Sequence, residues 1–119
     1  MPATELLPVR DVSAVCCEPA AHDAISEQAA DDVARTFKAL ADPTRVRIVS
    51  MVAAHADQSA CVCDLQEPLG LSQPTVSHHL KILTAAGFLT RSQRGSWAYY
   101  RLVPGSLDRV AQLITGLEA

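Results

Sequence analysis

Four cysteines are the residues of this chain best suited to chemistry, and they form two close pairs. Cys61 and Cys63 are two positions apart, and Cys16 and Cys17 are adjacent. In extended backbone the side chains of Cys61 and Cys63 point to the same side, whereas in a regular helix they diverge by about 200°. A shared site at Cys61 and Cys63 therefore predicts that this segment begins outside a helix.

Ligand softness and number limit the ions that these cysteines could bind. Thiolates favour As(III), Sb(III), Cd(II) and Pb(II) over cations that prefer oxygen ligands. Three thiolates in a pyramid satisfy As(III), and four in a tetrahedron satisfy Cd(II). An adjacent pair fits poorly into two corners of one tetrahedron, so the pattern favours As(III) or Sb(III), with Cd(II) or Pb(II) as the alternative. Cys61 could instead be an ordinary buried residue. The candidate metal ligands are Cys16, Cys17, Cys61 and Cys63, and we expect no organic cofactor.

Residues 70–83 predict the end of one helix, a tight turn and a second helix. Gly70 can end a helix, Ser72 can N-cap the next one, and Pro74 falls in its first turn, where no N–H is needed. A core stripe at helical spacing consists of Val76, Leu80 and Leu83. Polar side chains fill the remaining face and suit base edges and phosphates in a major groove, although a solvated helix face gives the same pattern. The candidate DNA-binding residues of this helix are Ser72, Gln73, Thr75, Ser77, His78 and Lys81.

The segment after this helix predicts a basic β-hairpin. Residues 88–93 and 97–102 are rich in β-branched and aromatic residues and flank a turn at Arg94-Gly95-Ser96. Arg91 and Arg94 join the candidate DNA-binding residues. A helix-turn-helix followed by such a hairpin is a winged helix.

The other elements follow from capping signals and periodicity. A helix from Ser26 ends at Asp42, which caps a second helix whose predicted buried side is Val46, Val49, Val52 and Ala53. Asp64 could N-cap a short third helix, and a terminal helix follows Pro104. The predicted fold is mainly α, an α+β winged helix-turn-helix of about five helices with a two-stranded wing. Residues 1–25 are predicted to be a flexible arm that carries Cys16 and Cys17, and residues 26–119 the DNA-binding and dimerisation domain.

Charge is divided unevenly along the chain. The formal net charge is -3, yet residues 35–101 carry eight basic residues against four acidic ones, and residues 1–34 carry seven acidic residues against one arginine. The predicted DNA-binding region is therefore basic, as contact with phosphates requires.

Four motifs in order resemble the ArsR/SmtB family of metal-responsive repressors. They are residues 37–45 (FKALADPTR), 61–65 (CVCDL) and 72–80 (SQPTVSHHL), and Arg94-Gly95 with Tyr99-Tyr100. The pattern is most similar to that of the arsenic(III)-responsive ArsR repressors. This resemblance implies a homodimer whose apo form binds double-stranded operator DNA and is released when an ion binds the thiolates. It also implies that Arg45 lies near the DNA backbone or between subunits, the alternative being an ordinary solvated charge.

The resemblance implies further site residues, and this sequence differs from the family pattern at two points. In the family the first and last helices form the dimer interface, which here implies Val33, Phe37, Leu107, Val110, Ile114 and Leu117. Gln66 stands where some arsenic sensors have a third cysteine, so the third thiolate would come from Cys16 or Cys17 in the arm. No histidine follows His79, which argues against the zinc site that other members carry on the terminal helix.

Three further expectations concern the class of protein. No apolar run approaches the roughly 20 residues that span a bilayer, so we expect a cytoplasmic protein without membrane contact, in a compartment where disulfides are uncommon. The sequence offers no phosphate-binding Gly-rich loop and no Cys-x-x-Cys, which argues against an enzyme. A thiol redox switch acting through the cysteines remains the alternative signal.

Overall fold

Five α helices and three β strands make up the part of the chain that the computed structural model describes, residues 23–118. The helices are α1 (Glu27–Leu40), α2 (Pro43–Ala54), α3 (Val62–Leu69), α4 (Gln73–Ala85) and α5 (Ser106–Gly116). The strands are β1 (Ser59–Cys61), β2 (Leu89–Arg94) and β3 (Trp97–Leu102). The predicted arm, including Cys16 and Cys17, lies almost wholly outside the described residues.

Side-chain caps and a glycine set the helix ends where the sequence predicted them. The side chain of Ser26 accepts the backbone N–H of Ala29 at the start of α1. Asp42 accepts the N–H of Arg45 at 3.1 Å in α2, and Ser72 caps α4. Gly70 ends α3 with a φ of 66°, a left-handed conformation that costs glycine little.

The hydrophobic core lies between α2, α3, α4 and the sheet. The α4 stripe is fully buried as predicted, and it packs with residues from the other elements. The fully buried large side chains are Ile48, Val52, Leu65, Val76, Leu80, Leu83, Phe88 and Leu89. The buried side of α2 was partly wrong, because Val46 is 52% exposed. Ile48 takes the core position instead, about 200° around the helix from Val46.

The predicted hairpin is present as β2 and β3, and a third strand, β1, extends it to a three-stranded antiparallel sheet. The strand order is β1-β3-β2, so the central strand pairs with both neighbours. Cys61 lies opposite Tyr99, and Arg94 opposite Trp97. Strand β1 has three residues, too few for alternation to be recognised in the sequence. None of the helices within residues 23–118 is long and apolar enough to cross a membrane.

Arg45 joins three helices rather than facing solvent. Its Nε donates to the carbonyl of Ala39 at 2.6 Å, and its Nη1 lies 3.2 Å from Nδ1 of His79. Since a guanidinium can only donate, Nδ1 of His79 is the acceptor. The half-buried Arg45 side chain therefore connects the end of α1 to α2 and α4.

Replacement of Arg45 by methionine is expected to lower the free energy of unfolding by about 1–3 kcal/mol. The carbonyl of Ala39 and Nδ1 of His79 would each lose the charged guanidinium as a hydrogen-bond donor. Urea unfolding at a fixed protein concentration measures this change as a lower midpoint with an unchanged slope. Arg47→Met, at an exposed position two residues along the same helix, is the matched control. Equal midpoints for the two variants would show that these hydrogen bonds contribute nothing.

Candidate thiolate site and nucleic-acid interface

Cys61 and Cys63 lie where the sheet meets α3. Cys61 is the last residue of β1 and the N-cap of α3, with extended backbone angles (φ -90°, ψ 167°). This confirms that the segment begins outside a helix. The Cα atoms are 5.3 Å apart and the two sulfurs form a disulfide, whereas free thiols were expected. The change from extended to helical backbone after Cys61 brings the side chains together.

Asp64, the third residue of α3, stabilises the start of this helix beside the two cysteines. Its Oδ2 accepts the backbone N–H of Cys61 at 2.9 Å. The N-cap of α3 is therefore Cys61, and Asp64 is not the N-cap that the sequence suggested but a helix residue whose side chain bonds back to it. One ligand atom from each of Cys61, Cys63 and Asp64 lies within 4.8 Å of the others. Cys61 is buried, while Cys63 and Asp64 are exposed. Ions and reductants in solution can therefore reach one sulfur directly.

His55, directly after α2, lies close to Asp64 and the two cysteines, and the sequence analysis did not identify it as part of this site. Its Nδ1 lies 2.9 Å from the carbonyl oxygen of Met51, and its Nε2 lies 3.9 Å from Oδ2 of Asp64. Nine positions separate His55 from Asp64, and no spacing rule relates residues on either side of a turn and a short strand.

A cleft connects Cys63 to both predicted DNA-binding elements. It is lined by residues of α3, the first turn of α4 and the hairpin, among them Cys63, Gln73, Arg91 and Trp97. Trp97 is 59% exposed, whereas Tyr100 is buried. Cys63 therefore lies beside both the start of α4 and the hairpin, and a chemical change at its sulfur would occur next to both elements.

The predicted DNA-binding residues lie on an accessible surface of α4 and the hairpin. Ser77 is half-buried, and the others are exposed: Ser72, Gln73, Thr75, His78, Lys81, Arg91 and Arg94. Ser72 also has a structural role, because its hydroxyl caps α4 and lies 2.9 Å from that of Thr75. The guanidinium of Arg94 lies 4.6 Å from the centre of the Tyr99 ring, which holds this charge on the hairpin.

The predicted dimer residues differ in exposure. Val33 and Phe37 on α1 and Val110 on α5 are half-buried, and α1 contacts α5. Leu107, Ile114 and Leu117 are 43%, 53% and 51% exposed. Leu107 and Ile114 on α5, with Leu117 directly after its end, form an apolar stripe that the described residues of a single chain leave uncovered.

Comparison with known proteins decides the family. The model of the arsR family of bacterial regulatory proteins matches residues 42–91. A putative arsenical resistance operon repressor, ArsR2, of Halobacterium salinarum is 39% identical over 92 residues, covering 77% of this chain and 75% of that protein. The chain belongs to the ArsR family. It is therefore a transcriptional regulator of a DNA-binding winged-helix family and not an enzyme.

Two further relatives in the ArsR family are named for resistance to different ions. An arsenic resistance transcriptional regulator of Pseudomonas putida is 42% identical over 81 residues, covering 68% of this chain and 62% of that protein. A homologue of the cadmium resistance regulatory protein CadC from Staphylococcus aureus is 37% identical, covering 66% of this chain and 63% of that protein. The chain thus spans less than two thirds of both relatives.

Solved structures have the same fold. The crystal structure of a possible transcriptional regulator for arsenical resistance has 29% identity and a TM-score of 0.63, covering 71% of this chain and 85% of that one. The solution structure of a homodimeric winged helix-turn-helix DNA-binding domain from Mycobacterium bovis has 26% identity and a TM-score of 0.62, covering 82% and 90%. These similarities confirm the winged-helix architecture.

Lys81 offers a test of the α4 surface as a DNA-binding face. Lys81→Gln is expected to weaken binding to all DNA sequences to a similar extent and to lower the slope of log affinity against log salt by about 1, because one phosphate contact is lost. Fluorescence anisotropy at several salt concentrations measures both effects. Lys38→Gln, on the exposed surface of α1, controls for the loss of one charge. If both variants have the same slope, Lys81 does not contact phosphate.

Proposed function

We propose that this ArsR-family regulator is a homodimeric repressor that binds operator DNA and is released when As(III) or Sb(III) binds its cysteine thiolates. The cleft shared by Cys63, Gln73 and Arg91 carries this proposal. An ion held at Cys63 would lie between the helix and the hairpin that carry the candidate DNA contacts. A relative named for arsenic resistance supports the choice of ion. Such a protein would act in the cytoplasm, where its DNA is.

The chemistry requires reduced cysteines. A dithiol reductant supplies two electrons and two protons to the Cys61–Cys63 disulfide and is itself oxidised to a disulfide. Arsenous acid, As(OH)3, then condenses with three cysteine thiols: each thiol proton leaves with one hydroxyl group as water, so three As–S bonds form and three waters are released. Cys61 and Cys63 would supply two of the sulfurs, and Cys16 or Cys17 the third.

The proposed coupling is a difference in DNA affinity between two states of the dimer. Allosteric coupling of this kind commonly amounts to about 1–3 kcal/mol, or roughly 5- to 150-fold in affinity. Linkage requires DNA to weaken binding of the ion by the same factor. Drawing the N-terminal segment towards Cys63 would change the cleft that borders α4 and the hairpin.

The homodimer is proposed from the uncovered stripe on α5. Leu107, Ile114 and Leu117 are about half exposed, and burial against a second chain would remove this apolar surface from water. A related structure is described as homodimeric. A two-fold dimer would present two α4 helices to successive major grooves of one operator.

Fluorescence anisotropy of the reduced protein on its promoter DNA tests the function. Separate titrations use arsenite, antimonite, Cd(II), Pb(II), Zn(II) and peroxide. We expect release by arsenite and antimonite. Release by Cd(II) or Pb(II) alone would contradict the proposed inducer and favour a four-thiolate site, a reading supported by the similarity to a cadmium resistance regulator.

A thiol redox switch is the second candidate, because Cys61 and Cys63 form a disulfide in the structure. In this case peroxide would take two electrons from the two thiols, forming the disulfide and water. Release of DNA by peroxide without arsenite, reversed by a dithiol reductant, would favour this signal over the metalloid.

A further inference from the structure

Ser106, the first residue of α5, has a buried hydroxyl with no hydrogen-bond partner among the described residues. The residue is only 9% exposed. Buried hydroxyls in proteins nearly always have a hydrogen-bond partner, because leaving one without a partner is costly. The Cα–Cβ bonds of a helix tilt towards its N-terminus, so this hydroxyl is directed towards the N-terminal end of α5. A ligand bound at that end could supply the missing partner.

A cavity of about 200 Å³ lies at the N-terminal end of α5, between α1, the turn after α4 and the loop before α5. Its polar lining includes Ser106 and Arg109. Thr36, a second hydroxyl in the wall, already donates to the carbonyl of Asp32 at 3.1 Å. Apolar side chains form most of the remaining wall: Ala86, Phe88, Val103, Pro104 and Val110. The cavity therefore combines one polar side, at the start of α5, with an apolar interior.

The polar side of the cavity favours a negative charge. Gly105, the N-cap of α5, has no side chain to cap the helix, and the N–H groups of Leu107 and Asp108 have no acceptor in the described part of the chain. Such unpaired N–H groups give a helix N-terminus a partial positive charge. The guanidinium of Arg109 also has no acceptor within the described residues, and it lies on the same helix face as Ser106, three positions away. The carboxylate of Asp108 is exposed and lies about 200° around the helix from Ser106.

We propose that this cavity binds a small apolar monocarboxylate, whose carboxylate accepts hydrogen bonds from the hydroxyl of Ser106 and the guanidinium of Arg109. Charged hydrogen bonds between arginine and a carboxylate are among the stronger ones in proteins. An apolar cavity of about 150 Å³ can hold benzene, so this cavity suits a compound of the size of benzoate. Inorganic phosphate would meet the same donors but would leave the apolar wall without a contact. The site shares no residue with the cysteine pair or with the candidate DNA contacts, and it does not depend on the proposed function.

Titration of the full chain, labelled with ¹⁵N, with benzoate tests the proposal by NMR. We expect saturable shifts of the backbone amides of Gly87, Ser106 and Arg109, with a dissociation constant of about 1 mM or tighter. Benzyl alcohol has a similar size and no charge, and it should bind at least about tenfold more weakly. Inorganic phosphate should also bind at least about tenfold more weakly. Equal affinity for benzyl alcohol would overturn the role of the carboxylate, and equal affinity for phosphate that of the apolar wall.

Three variants show whether the proposed donors hold the carboxylate. Ser106→Ala and Arg109→Gln should each weaken benzoate binding by about tenfold. Arg47→Gln, on the exposed surface of α2, is the control for loss of one positive charge and should bind benzoate like the wild type. Wild-type affinity in both cavity variants, or an equal loss in Arg47→Gln, would overturn the proposal.

The stability of Ser106→Ala without benzoate gives an independent readout. Because the hydroxyl has no partner to lose, the urea midpoint of this variant should equal or exceed that of the wild type. A lower midpoint would show that the hydroxyl is hydrogen-bonded within the protein itself, and this would contradict its assignment to a ligand.

Discussion

Replacement of Cys63 by serine is expected to leave operator affinity unchanged and to abolish release by arsenite. Cys63 is exposed, so the substitution removes little packing. A serine hydroxyl is a hard and weakly acidic ligand that cannot replace a thiolate on As(III). Arsenite should lower the operator affinity of the wild-type protein by roughly 5- to 150-fold and that of the variant not at all. Anisotropy titrations with reduced protein measure both affinities.

Glu67→Gln, at an exposed position four residues along α3, is the control for this prediction, and we expect it to respond to arsenite like the wild type. Cys61→Ser is less decisive, because Cys61 is only 4% exposed and substitution there alters packing at the end of β1. A Cys63→Ser protein that arsenite still releases would remove Cys63 from the site. Weakened DNA binding before any arsenite is added would indicate a structural role at the cleft instead.

The helical part of the fold could be predicted because its signals are local. Asp42 and Ser72 each cap a helix with a side chain a few positions from the groups it binds, and the Val76-Leu80-Leu83 stripe has the period of the helix itself. Residues separated by only a few positions come into contact as soon as the local helix forms, independently of the tertiary fold. The same amphipathic pattern placed Lys81 on the outer face of α4.

Contacts between elements could not be predicted in this way. His55 meets Asp64 only because β1 pairs with β3 and turns the chain back towards the end of α2. The burial of Ile48 in place of Val46 depends on which side of α2 faces α4, and two apolar residues 200° apart give no means of choosing. Arg45 was expected near the DNA backbone, between subunits or in solvent, because no local pattern indicates that its acceptors lie on two other helices.

The surroundings of Cys61 and Cys63 depend both on local sequence signals and on contacts between distant elements. The spacing of Cys61 and Cys63 correctly indicated a non-helical start, since a regular helix would direct the two side chains about 200° apart. The spacing could not reveal that Cys63 borders the same cleft as Gln73 and Arg91, because this proximity arises from the packing of α3 against α4 and the hairpin. A local motif thus predicted the thiolate chemistry that we propose, and only the tertiary structure related it to the proposed DNA-binding face.

The second large effect is expected from Ile114→Asp on α5. The side chain is 53% exposed in the single chain and lies in the middle of the stripe that we propose to be buried between subunits. An unpaired carboxylate buried in an apolar interface is costly, so the dimer should dissociate. Sedimentation should show the mass falling from about twice to once the chain mass of 12.7 kDa. Because two linked half-sites commonly gain 10²–10⁴ in avidity, operator affinity should fall by about 100-fold or more.

Gln112→Asp introduces the same charge on the opposite side of α5, about 200° from Ile114, and is expected to leave both mass and operator affinity unchanged. This comparison separates loss of the dimer from a general effect of negative charge near DNA. If Ile114→Asp remains dimeric, the stripe on α5 is not the interface. If it becomes monomeric but retains its operator affinity, each chain binds DNA independently, and the geometry of two α4 helices on one operator must be abandoned.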